Sequence, residues 1–137
     1  MGYEENARNN HRSGFNCAMS VYVAYADELG LTTEQARATA PMPRSEGGKC
    51  GAFLAGRKIL EQLKPDAVEG YEKSFIEMNG QTECSRLVAA HGVLRKSCND
   101  YVGDAARSLE EALNYNSAEQ EGGSYERNIK DAENKTK

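Results

Sequence analysis

Cys17, Cys50, Cys84 and Cys98 are the residues of this chain best suited to chemistry, and they stand 33, 34 and 14 residues apart. No two of them form a CxxC pair, so any chemistry they share must be assembled by folding. Each falls where a helix is expected to begin. At a helix's first turn, unpaired backbone N–H groups and the positive end of the dipole favour a thiolate over a thiol. Redox or metal-binding chemistry is therefore the leading expectation.

Cys50 carries the strongest individual case. Gly47 and Gly48 allow the preceding loop to approach closely, Lys49 adds positive charge, and Gly51 leaves space beside the sulfur. In the expected thiol–disulfide exchange, Cys50 attacks a disulfide, Cys84 resolves the mixed disulfide, and Cys98 or Cys17 completes a second pair. Such exchange requires no acid–base triad and no cofactor. The competing assignment is coordination of zinc or an iron–sulfur cluster by the four thiolates, although short chelating pairs are missing. A third reading makes the cysteines small buried hydrophobes, most plausibly at Cys17, whose neighbours are apolar.

The elements that must position these sulfurs read as helices throughout. The run from Phe15 to Leu29 is rich in Ala and aromatic residues and stops at Gly30, which predicts a first core helix with Cys17 turned inward. Thr32 and Gln35 form a capping box for a short helix to Thr39, and Pro41 and Pro43 prevent its continuation. A loop from Ala40 to Lys49 follows. A second core helix runs from Cys50 to Leu63, with Ala52, Ala55 and Gly56 permitting close contact near its start.

Pro65 begins the next helix, which buries Val68, Tyr71, Phe75 and Ile76 and ends at Asn79-Gly80. Thr82 is the expected N-cap of a segment from Cys84 to Ala90, closed by His91-Gly92. The last helix spans Lys96 to Leu113, with Cys98, Val102, Ala105, Ala106, Leu109, Ala112 and Leu113 facing inward. The fold class is thus all-α, a compact multi-helix bundle with one cysteine-containing domain over 13–115. A flexible polar tail is expected over 116–137.

The chain has 137 residues, 17 Lys plus Arg against 21 Asp plus Glu, and a net charge of -4, enough length for a genuine core without a basic tract for nucleic acid. No long apolar segment follows a positively charged start, so the expectation is a soluble cytoplasmic protein without membrane insertion. Nucleotide-binding loops, HExxH, GxSxG and CxxCH are all absent, which removes the local signatures of several enzyme classes. His91 reads as a capping or surface residue, and His11 lies in a polar leader. Tyr22, Tyr25, Tyr71 and Tyr101 read as packing residues, and Arg57-Lys58 near Glu61 as a solvated face. The expected partner is a redox protein or a small thiol, with homo-oligomer formation left open. A noncatalytic helical adaptor, binding a protein through its grooves and acidic tail, is the alternative from a different class.

Asn16-Cys17-Ala18, Cys50-Gly51-Ala52, Cys84-Ser85-Arg86-Leu87 and Cys98, followed by Tyr101-Val102 and Ala105-Ala106, together resemble a redox-associated family named for its C-GCAxxG-C-C pattern. The resemblance covers most of Phe15 to Leu113. It implies a mostly helical, prokaryotic protein with a suspected redox role, and it carries over Cys17, Cys50, Cys84 and Cys98 as catalytic residues. Two departures stand out: Pro41 and Pro43 occupy part of an approach loop that is more glycine-rich in relatives, and Gly56 falls one place later than the motif's closing glycine, where Ala55 stands.

Overall fold

The described residues of the computed structural model are 2–114, so the expected tail over 116–137 lies outside them. They form α1 (Tyr3–Arg12), α2 (Cys17–Ala24), α3 (Ala26–Leu29), α4 (Thr33–Thr39), α5 (Gly51–Leu63), α6 (Val68–Asn79), α7 (Cys84–Ala89), α8 (His91–Leu94) and α9 (Cys98–Asn114). Among these residues there is no named strand, and the all-α bundle expected from the sequence is what is found. None of the described helices is long and apolar enough to cross a membrane.

Helix α9 is the axis of the bundle, packing against α1, α2, α5 and α6. Its inward stripe, Val102, Ala105, Ala106 and Leu109, is fully buried and meets Val21 and Tyr22 of α2, Phe53 and Ile59 of α5, and Tyr71 and Phe75 of α6 in one core. Small residues set the spacing of these helices. A Cβ at Gly56 would strike the buried Tyr71 ring, whose hydroxyl donates to the Phe53 carbonyl at 2.8 Å. Tyr22, Tyr25, Tyr71 and Tyr101 are all buried, so packing is their first role.

Several boundaries differ from the sequence expectation. Residues expected as a polar leader fold as α1, which packs on α9 and α2 and sends Ala7 into the core. Arg8 fixes it there, bonding Asp100 at 2.9 Å and Glu4 at 3.1 Å while passing over Gly103. The single helix expected from Phe15 to Leu29 breaks at Tyr25, whose hydroxyl reaches the Ala106 carbonyl at 3.0 Å and whose ring stacks on Tyr3 at 4.1 Å. Anchoring that ring in the core holds Tyr25 outside helical geometry. The Thr32–Gln35 capping box forms as expected, and Pro65 opens a 3-10 turn that leads into α6.

Ile76 is not a core contact. The buried stripe of α6 is Tyr71, Phe75 and Asn79, and Ile76 falls just off it, 46% exposed. Glu83, not Thr82, precedes α7 as its N-cap residue, and His91 opens the short α8 instead of closing a segment. The last helix begins at Cys98 because Lys96 is drawn inward, with its ammonium 2.8 Å from buried Asp104 and 2.7 Å from the Asn79 amide oxygen. Ser97 and Asp100 then cap α9 reciprocally, the Ser97 N–H donating to Asp100 at 2.8 Å. Arg57 lies on a charged face, as expected, and it gathers Glu46, Glu61 and Glu72 around one guanidinium.

Gly56→Ala should destabilise the bundle by about 1–3 kcal/mol, because the buried Tyr71 ring cannot retreat without losing its core contacts. Urea denaturation of the variant beside the wild type measures this; an unchanged midpoint would mean that α5 and α6 are not packed as described.

Candidate functional site

Two backbone hydrogen bonds join the loop before α5 to the segment before α7. The Cys50 N–H donates to the Thr82 carbonyl at 2.7 Å and the Cys84 N–H to the Gly48 carbonyl at 2.8 Å, forming an isolated antiparallel bridge between Lys49 and Glu83. Alternation along such a pairing puts Cys50 and Cys84 on the same face, opposite to Lys49 and Glu83. Gly47 and Gly48, at φ of 64° and 73°, supply the left-handed turn that brings the loop into this pairing. Residues 34 positions apart in sequence thus become neighbours through backbone bonding.

Cys17 arrives from another direction, as the first residue of α2. The Asn16 side chain caps that helix by accepting the Met19 N–H at 2.8 Å. The Cys17 sulfur then rests over the first turn of α5, so close that a Cβ on Gly51 would lie 2.6 Å from it. Only glycine at position 51 leaves room for the sulfur.

All four cysteines line a single cavity of about 460 Å³, walled also by His11, Asn16, Pro43, Arg44, Leu87, Val88 and Tyr101. Their surroundings differ. Cys50 is buried, Cys17 and Cys84 are half-buried, and Cys98 is exposed, contrary to its expected inward position. Cys98 stands at the N-terminal end of α9, where the sulfur emerges at the cavity rim 3.9 Å from the His91 ring nitrogen Nε2. All four are free thiols.

The electrostatics separate Cys17 from Cys50. A hydrogen bond from the Cys50 thiol pulls Cys17 down to about 6, against the opposing effect of burial, and the N–H groups of Ala52, Gly51 and Ala18 add to the lowering. Cys50 moves the other way, held well above the ordinary thiol range by that same bond and by burial. Cys17 is thus the more acidic sulfur of the two. Cys50 was expected to be the accessible sulfur; it is buried, at the start of α5. Cys98 is also raised, by burial first and then by the charges of Cys84 and Cys17.

Arg44 and His11 belong to the site, and sequence reasoning missed both. The Arg44 guanidinium hydrogen-bonds Cys84 and sits in the field of Cys17 and Cys98, which together strengthen its hold on its proton. His11 reaches the cavity from α1 and is lowered by burial and by neighbouring Arg12. For metal, the donor set does not fit: among the described residues no group of three or more His, Cys, Asp or Glu side chains gathers closely enough to hold an ion. The sulfurs border a common space without forming a ligand cluster.

A family model described as "Putative redox-active protein (C_GCAxxG_C_C)" matches residues 15–112. No curated protein and no solved structure matches the chain.

Because Cys17 ionises near 6, its alkylation by iodoacetamide should rise through that pH and level off by neutrality. In Gly51→Ala the added methyl displaces the sulfur from the N–H groups of α5, and the inflection should move up toward about 8.5, the value of an ordinary thiol. Peptide-resolved mass spectrometry across a pH series reads both profiles; the same inflection in both proteins would show that the first turn of α5 does not hold the thiolate.

Proposed function

The chain belongs to the C_GCAxxG_C_C family, and we propose that it is a thiol–disulfide exchange protein in which Cys17 attacks and Cys50 resolves. What supports this reading is the Cys17 sulfur seated against Gly51 on the first turn of α5, beside Cys50 in the cavity that both sulfurs line, with Cys17 drawn down to about 6 and Cys50 pushed up. This arrangement reassigns the roles expected from sequence, in which Cys50 attacked and Cys84 resolved. Cys17 is both the more accessible and the more acidic of the two.

In the first step the Cys17 thiolate attacks one sulfur of an external disulfide. A bond forms between Cys17 Sγ and that sulfur, the substrate's S–S bond breaks, and its other sulfur leaves as a thiolate. Cys50 then gives up its proton and attacks Cys17 Sγ, expelling the second substrate sulfur. The proton from Cys50 passes to a departing sulfur, so the substrate gains two electrons and leaves as one thiol and one thiolate, while the protein is left with a Cys17–Cys50 disulfide. An external dithiol, as a reducing cytoplasm supplies, reverses the exchange and resets the protein.

A thiolate near 6 suits this chemistry at neutral pH. It is almost wholly ionised there, and its low basicity also makes it a good leaving group when the disulfide is reduced again. Cys84 and Cys98 border the same cavity, and Cys98 is the sulfur most open to a docking partner.

Cys50→Ser should accumulate a mixed disulfide at Cys17 when treated with a small disulfide, because the second attack is lost. Cys17→Ser should form no such adduct at Cys50 under the same conditions. Intact-mass and peptide mass spectrometry distinguish the two; stable adducts at Cys50 in Cys17→Ser would reverse the proposed order.

A further inference from the structure

The walls of the thiol cavity carry one cationic side chain, Arg44, and no Asp or Glu. That is notable in a chain with 21 acids against 17 bases. The acids closest in sequence are held by other partners: Glu83, beside Cys84, pairs with Arg86 at 3.2 Å, and Glu46, two residues beyond Arg44, pairs with Arg57. Their charges are thereby partly neutralised away from the cavity.

Arg44 is also held in an unusual way. Its backbone has φ of 68°, a left-handed conformation rare for a long side chain, and its N–H donates to the Lys49 carbonyl at 3.0 Å. The loop bond that fixes this geometry belongs to the same segment whose Gly48 and Cys50 pair with Cys84 and Thr82. Arg44 is exposed to solvent and lines the cavity with Cys84 and the other three sulfurs, so an entering molecule meets it at the cavity's edge. A guanidinium presents five N–H donors, and one sulfur acceptor leaves capacity for a carboxylate.

His11 adds a second donor. Its ring nitrogen Nδ1 lies 3.2 Å from the Asn99 amide nitrogen. The orientation of that amide is set independently, because the same nitrogen donates to the Arg8 carbonyl at 3.1 Å while its oxygen faces the Arg8 guanidinium at 3.4 Å. Nδ1 is thus the acceptor, and the neutral ring carries its proton on Nε2. His11 consequently faces a substrate as a donor.

We propose, building on the exchange reading above, that the substrate class is a small disulfide bearing carboxylates, recognised by Arg44 with the Nε2–H of His11 as a supporting donor. The size of the cavity, about 460 Å³, suits a low-molecular-weight molecule. Arg44 offsets the repulsion that the Cys17 thiolate would otherwise exert on an anion, and the carboxylate stays bound while the disulfide sulfur is attacked. The reaction remains the exchange already given, with the small disulfide taking two electrons and the Cys50 proton and leaving as one carboxylate-bearing thiol and one carboxylate-bearing thiolate.

Oxidation of the reduced full chain by three small disulfides tests this: anionic dithiodipropionate, neutral hydroxyethyl disulfide and cationic cystamine, each compared by its second-order rate constant for loss of the Cys17 thiol. Dithiodipropionate should lead hydroxyethyl disulfide by roughly fivefold at low salt, a margin that shrinks as salt is raised. In Arg44→Asn, which tolerates the left-handed backbone, that ratio should fall to about one or below. Equal rates for the three probes, a lead by cystamine, or a preference that survives in Arg44→Asn would overturn the assignment while leaving exchange intact. Failure of all three to oxidise Cys17 would overturn the exchange reading together with it.

Discussion

The seating of the Cys17 sulfur against the first turn of α5 is the contact on which the rest of this structure depends. Cys17 and Cys50 differ in acidity because their surroundings differ. The N–H groups of Ala52, Gly51 and Ala18 help draw Cys17 down, whereas burial helps push Cys50 up. The positive end of α5 thereby serves a sulfur carried by another helix. Glycine at position 51 is what permits the approach, since any side chain there would occupy the space of the sulfur.

The remaining architecture keeps that contact in register. The Lys49–Glu83 bridge holds the approach to α5 against the approach to α7, and Asn16 fixes where α2 begins. Helix α9 carries Cys98 to the rim, and its start is set by Lys96 bound to Asp104 and Asn79 together with the Ser97–Asp100 cap. Each device is local, yet each ends at a cysteine. Four sulfurs around one cavity result, with Cys50 buried and Cys98 exposed.

Much of the bundle was legible in the chain because local rules govern it. The Thr32–Gln35 capping box, the glycine stops at Gly30 and Gly80, and the inward stripe of Val102, Ala105, Ala106 and Leu109 all follow from propensity and period. The break at Tyr25 did not, because it depends on a bond to Ala106 that is 81 residues away. Helix α1 was hidden by its polar composition, and packing against α9 through Arg8 and Ala7 is what gives it a place. At the site, the types and order of the sulfurs were visible, but their division of labour was not. Cys50 has the more suggestive neighbours in sequence, whereas Cys17 has the more suggestive neighbours in space.

Equilibration of the reduced protein in graded dithiothreitol redox buffers, followed by acid quenching and peptide mapping of disulfides, measures the central claim most directly. A reversible two-electron transition whose first disulfide joins Cys17 to Cys50 is the expected result. Formation of other pairs at lower oxidant with Cys17 and Cys50 still reduced, or the absence of any intramolecular disulfide, would contradict it.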